Sequence, residues 1–104
     1  MDNVFAAVAD PTRREILDQQ RIHNAQSIKD LTPHFAMTRQ ALTKHLDVLT
    51  QANLVVAEVH GRERLHRLNP QPLQELDAWL APYSAAWDRR LSRLNSYLEE
   101  TDEG

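Results

Sequence analysis

The chain has 104 residues, 41% of them hydrophobic and 26% charged, with a formal net charge of −3 at neutral pH. This is the composition of one small globular domain with a single modest core; it offers no apolar run near the roughly 20 residues of a membrane helix and no signal-peptide pattern, so a cytoplasmic protein is expected. The absence of cysteine excludes disulfides, thiolate metal ligands and a thiol nucleophile.

Val4, Phe5 and Val8 suggest a short first helix. Asp10-Pro11 is a strong start signal for a second, because Asp caps exposed N–H groups and Pro suits the first helical position. That helix should run to about Ile22 and bury Ile16 and Leu17. Ser27 and Asp30 fit the S-x-x-D capping pattern and open a third helix. Pro33 removes an N–H and disfavours helical backbone at Thr32, which predicts a helix short or distorted near its end.

Thr38 can cap a fourth helix in which Leu42, Leu46 and Leu49 form a buried stripe, widened by Ala41, Val48 and Ala52. Arg39, Gln40, Thr43, Lys44 and Asp47 are left on its outer side. Asn53 stands where a left-handed residue would stop the helix. Leu54–Val59 and Glu63–Leu68 then read as strands joined at Gly61-Arg62. A polar-faced helix followed by a basic hairpin is the outline of a winged helix-turn-helix: mostly α, five helices, with a small β-hairpin wing.

The sequence Asn69-Pro70-Gln71-Pro72 leads into a long final helix. Leu73, Leu76, Leu80, Tyr83, Trp87, Leu91, Leu94 and Leu98 are separated by 3, 4, 3, 4, 4, 3 and 4 residues, and Trp79 widens the stripe. Such a seam is longer than a small domain covers by itself, and exposed it exceeds the apolar patch that monomers tolerate. A second copy is the simplest cover, which predicts a homodimer with two-fold symmetry. The other reading is that the seam packs on the chain's own core. Pro82 should kink or restart the helix.

The acidic sign of the whole chain weighs little against DNA binding. Residues 99–104 carry four acids and no base, and without them the net charge moves from −3 to +1. Residues 38–67 hold five Lys or Arg against three acids. A DNA binder needs a local positive surface, not a basic protein. The expected organisation is one DNA-binding and dimerisation domain over 1–98 and an acidic disordered tail over 99–104.

With these elements in order, the chain resembles the ArsR-type (ArsR/SmtB) family of dimeric winged helix-turn-helix repressors over about residues 3–98. The resemblance rests on ADPTRREIL (9–17), TRQALTKHLDVLTQANLV (38–55), HGRERLHRL (60–68) and LDAWLAPYSAAWDRRLSRLNSYL (76–98). It is closest to the subgroup whose final helix carries W…Y…W…L, here Trp79, Tyr83, Trp87 and Leu91. That subgroup is often encoded beside small lipid-transfer-like (SRPBCC) proteins. Thr43, Lys44 and His45 match the S-x-H of the family's recognition helix, with Thr for Ser. Gly61 and Arg62 match its wing tip, and Asn53 replaces its usual Gly.

The resemblance implies that helix 38–52 enters the major groove of double-stranded DNA and the 60–64 wing meets the minor groove or the backbone. The expected DNA-binding residues are Thr38, Arg39, Gln40, Thr43, Lys44, His45, Arg62 and Arg64. Arg suits guanine, Gln suits adenine, and Thr offers a donor, an acceptor or its methyl to thymine. Lys44 suits phosphate. His45 has two open roles, packing the helix or touching DNA. The expected dimer interface is Val4, Phe5, Leu80, Tyr83, Trp87, Leu91, Leu94 and Leu98, on a roughly palindromic operator.

Many members of this family release DNA on binding metal. Here the five His (His23, His34, His45, His60, His66) are scattered, none lies in the final helix, and no metal site is expected. Trp79, Tyr83 and Trp87 line either an apolar pocket for a small organic effector or plain interface core, and no effector is identified. No Gly-rich phosphate loop or nucleophile with a placed base is present, so no cofactor, catalytic residue or enzymatic activity is expected. The alternative function is a winged-helix protein-interaction module without operator-specific binding.

Overall fold

The computed structural model describes the backbone of residues 2–102 and all of their side chains except those of 97 and 99–102. Of the expected acidic tail over 99–104, the backbone of 99–102 continues the last helix, and 103–104 lie outside the described residues. The chain divides after residue 73 into two compact units, a division inside the 1–98 domain expected from sequence. The elements are α1 (Asp2–Val8), α2 (Pro11–Ile22), α3 (Ile28–Leu31) with a 3-10 turn at Thr32–His34, α4 (Arg39–Gln51), β1 (Val55–His60), β2 (Glu63–Leu68) and α5 (Gln71–Asp102). The five expected helices and the hairpin are all present. No helix among the described residues is long and apolar enough to cross a membrane.

In the first unit each junction is set by local chemistry. The Asp10 carboxylate accepts from the N–H groups of Thr12 and Arg13 at 2.8 and 3.1 Å, with Pro11 at the first turn of α2. Those bonds hold the Asp10 carboxyl below the usual carboxylate range, the Arg13 N–H contributing most. The next two residues finish α1. Arg13 donates from Nε to the Ala7 carbonyl and from Nη2 to that of Ala6; Arg14 donates from Nη1 to Val8 and Ala9. A seven-residue helix has few internal bonds, and these two cations satisfy its orphan carbonyls and its dipole.

Ser27 and Asp30 form a complete capping box, each side chain accepting from the other's backbone N–H. The helix they open is as short as Pro33 demands. It ends at Leu31 and tightens into the 3-10 turn, where Pro33 sits in the first positions and its missing N–H costs nothing. Thr32 nonetheless keeps helical backbone, with its hydroxyl donating to the Ile28 carbonyl at 2.7 Å.

Helix α4 ends as Asn53 requires. Asn53 has φ 61°, its N–H donates to Thr50, and the Leu54 N–H donates to Leu49, the paired bonds of a Schellman motif. The associated apolar contact positions, Leu49 and Leu54, are both fully buried. This explains why β1 begins at Val55 and not at Leu54: the Leu54 N–H is already spent. Gly61 has φ 65° and opens the two-residue turn between His60 and Glu63. A side chain added there would touch nothing, so Gly is required by conformation alone.

Gln26 adds a third, one-residue strand. It exchanges two backbone bonds with His66, at 3.0 and 2.8 Å, and so ties the hairpin to the segment just before α3. Ala25, immediately before it, takes a left-handed conformation at φ 57° without the help of a Gly or Asn side chain. The Asn24 side chain accepts from the Leu68 N–H, and Asn69 donates from its side chain to the Asn53 carbonyl. The core enclosed by these elements is Ile16, Leu17, Leu31, Leu42, Leu46, Leu49, Leu54 and Val55, with Val4 and Ala7 from α1. Each fully buried Leu or Ile contributes about 1.5–3 kcal/mol relative to exposure.

The second unit is the helix itself. It does not restart at Pro82, since one helix runs from Gln71 to Asp102. Leu80, Ala81, Ala85 and Ala86 around the proline are among the best helix formers and carry the helix across the lost hydrogen bond. Trp79, Leu80, Tyr83, Trp87, Leu91, Leu94 and Leu98 are all between 40% and 64% exposed. The Trp79 and Tyr83 rings lie 5.3 Å apart on adjacent turns at a tilt of 50°.

Candidate nucleic-acid interface

The buried stripe of α4 fixes what its other face presents. With Leu42, Leu46 and Leu49 inward, Arg39, Gln40, Thr43 and Lys44 come together around an open hollow of about 520 Å3. These are the four outward residues that the sequence singles out as base or phosphate contacts. Thr38 precedes them with its hydroxyl already engaged, accepting from the Ala41 N–H at 3.1 Å, and so serves as the helix cap. The Thr43 hydroxyl donates to the Arg39 carbonyl at 2.8 Å. Its proton is thus committed, leaving an acceptor and a methyl group on the outer face.

His45 turns the other way. Its Nδ1 lies 3.3 Å from Arg13 Nη1, and a guanidinium only donates, so Nδ1 accepts and the ring proton sits on Nε2. Of the two roles open from sequence, Nδ1 takes the packing one. Arg13 thereby joins the end of α1, the start of α2 and the middle of α4 through one side chain.

The wing contributes a second, smaller hollow of about 220 Å3. Arg62 and Arg64 from the hairpin, Arg39 from α4 and Lys29 from α3 line it, with Glu63 as the one acid and Ser27 and Ile28 behind. Arg39 borders both hollows. The outer face of the wing is different in kind. Glu58 accepts from Arg67 at 2.6 Å and from His60 at 3.2 Å, and its carboxyl is held below the ordinary range, first by the His60 hydrogen bond and then by the Arg67 charge. Among the described residues no salt bridge involves Lys29, Arg39, Lys44, Arg62 or Arg64. Arg39 thus links Lys44 in the first hollow with Lys29, Arg62 and Arg64 in the second.

His66 is buried beneath the wing, and burial pushes its ring below the usual histidine range, against a smaller upward pull from the Gln26 hydrogen bond. Of the expected interface residues, Val4 is inside the first unit's core, whereas Phe5 on the same helix is 39% exposed. Among the described residues no group of three or more His, Asp or Glu could hold a metal ion. Sequence reasoning missed Lys29 and Arg13. Nothing in the linear pattern sets Lys29 apart from other surface charges, and the role of Arg13 depends on a partner 32 residues away.

No protein-family model matches the chain. It is 32% identical over 91 residues to the transcriptional repressor SdpR of Bacillus subtilis, covering 88% of this chain and all of that protein. It is 38% identical over 81 residues to the HTH-type transcriptional regulator YuzN of the same organism, covering 72% and 88% of the two chains. Among solved structures, an ArsR-like transcriptional regulator from Rhodococcus sp. RHA1 superposes with a TM-score of 0.74 at 36% identity, covering 95% of this chain and 90% of that one. The chain belongs to the ArsR-type family of winged helix-turn-helix transcriptional regulators. As a family member it is a sequence-specific DNA-binding regulator, not an enzyme. The lack of cysteine removes one of the ligand types from which metal-responsive members of such a family build their sites.

Proposed function

We propose that the protein is a homodimeric repressor that inserts α4 of each copy into successive major grooves of a roughly palindromic operator. The observation that carries this reading is the convergence of Arg39, Gln40, Thr43 and Lys44 around one open hollow, on a helix whose two ends are capped and whose inner stripe is fully buried. A helix so fixed presents its polar face without paying for reorganisation on binding. Gln40 offers a bidentate pair to adenine, Thr43 its methyl to thymine or its lone pair to a donor, and Lys44 a charge to phosphate. Arg62 and Arg64 meet the backbone or the adjacent minor groove.

Two-fold pairing follows from α5. Seven large apolar side chains about half exposed along one helix call for a cover, and an identical helix supplies the same spacing in return. Phe5, 39% exposed on α1, is a further candidate for the interface. In such a dimer the two reading helices stand about 34 Å apart, one turn of B-DNA, and occupancy of a promoter excludes polymerase without chemistry. SdpR, which this chain matches over its whole length, is itself a transcriptional repressor.

The test is fluorescence anisotropy against the DNA upstream of the protein's own gene and a scrambled duplex. The expected result is tight, salt-dependent binding that prefers the upstream duplex. Gln40→Ala should lose about 1–3 kcal/mol of that preference while leaving binding to the scrambled duplex unchanged. Equal and weak binding to both duplexes by the unmodified protein would overturn the operator-reading function.

A further inference from the structure

The hollow between the wing and α3 gathers positive charge. Four cations, Lys29, Arg39, Arg62 and Arg64, converge on it against the single acid Glu63, and no salt bridge among the described residues involves any of the four. It is an open cleft of about 220 Å3, lined on several sides by these side chains. The walls are fixed in advance. The Gln26–His66 bridge holds β2 against the start of the third helix, and Arg64 lies two residues from one end of that bridge, Lys29 three from the other. Guanidinium forks match phosphate oxygens bidentately, and a lysine adds a point charge.

We propose that this hollow is a single-oxyanion site, filled by one backbone phosphate of the operator, and that Lys29 with Arg62 and Arg64 holds it while Arg39 closes the rim shared with the base-reading hollow. The inference rests on the operator-reading function above and adds Lys29 to its contacts. It makes the wing and the reading head share one phosphate, which sets how deeply α4 sits in the groove.

Lys29→Gln, on the exposed face of its helix, is the variant of choice, with circular dichroism to verify the fold. In anisotropy titrations across salt concentrations it should weaken binding to the upstream and scrambled duplexes by the same factor, about eightfold at 0.1 M salt, and flatten the dependence of log affinity on log salt by about 0.9. Arg67→Gln, which removes a cation paired with Glu58 outside the hollow, should leave that slope unchanged. An unaltered slope and affinity in a folded Lys29→Gln, with selective binding intact in the unmodified protein, would overturn the site and spare the function. If the unmodified protein binds no DNA selectively, titration with inorganic phosphate followed by 31P NMR decides the site separately. Line broadening lost in Lys29→Gln would support an oxyanion site filled by free phosphate, and no broadening in either protein would overturn it.

Discussion

The two units of this chain solve the burial problem in opposite ways. Residues 2–73 close on themselves: every helix end from Asp10 to Asn53 has a side chain or a turn assigned to it, and Ile16, Leu31, Leu42, Leu49 and Leu54 lose all contact with solvent. Beyond residue 73 the described chain is one helix with no layer of its own, and Trp79, Leu80, Tyr83, Trp87, Leu91, Leu94 and Leu98 remain roughly half exposed. The first arrangement fixes a surface and the second leaves one unfinished. A reading head has to be rigid before DNA arrives, because contacts to base edges tolerate little displacement; the open seam of α5 is the surface proposed above to receive a second copy.

The largest effect that separates the two is a core truncation. Leu46→Ala removes a side chain that is 1% exposed on the inner face of α4. It should cost about 2–5 kcal/mol in chemical denaturation, and DNA affinity should fall with it because the reading face loses its support. A cost under about 1 kcal/mol would mean that α4 is held by something other than its leucine stripe.

A smaller effect is the response of the first unit to acid. His66 titrates below the ordinary histidine range because it is buried, so the folded state binds fewer protons than the unfolded chain. Its contribution is present at neutral pH and above, and declines as pH falls from the ordinary histidine range through the lowered folded value. Asp10, Asp30 and Glu58 are also lowered, so their contributions vanish later, below the ordinary carboxylate range. Denaturation midpoints should therefore fall in two stages. His66→Gln should remove the first and keep the second; retention of the first stage would place its origin outside the wing.

Much of the first unit is legible because its decisive interactions are local. Asp10 with Pro11, Ser27 with Asp30, Thr38, Asn53 and Gly61 each act within a few residues, so a linear pattern contains the whole cause. The outward residues of α4 are legible for the same reason, since helical period and a leucine stripe decide what faces out. What sequence does not disclose is long-range pairing: Arg13 reaching His45, Gln26 pairing with His66, Lys29 meeting the wing. The left-handed backbone at Ala25 is likewise imposed by that pairing and not by residue type. The restart expected at Pro82 does not occur, because the signal for a helix break is local and the helix formers around it prevail.

The measurement that bears most directly on the proposed dimer is sedimentation velocity of the intact chain beside Trp87→Glu, with denaturation of both. Trp87 is 58% exposed at the middle of the seam, so a charge there leaves the fold of residues 2–73 alone and lies where a second helix would pack. The unmodified chain should sediment as a dimer and Trp87→Glu as a folded monomer that has lost tight operator binding. A Trp87→Glu protein that remains fully dimeric would contradict the assignment of the α5 seam as the surface that joins two copies.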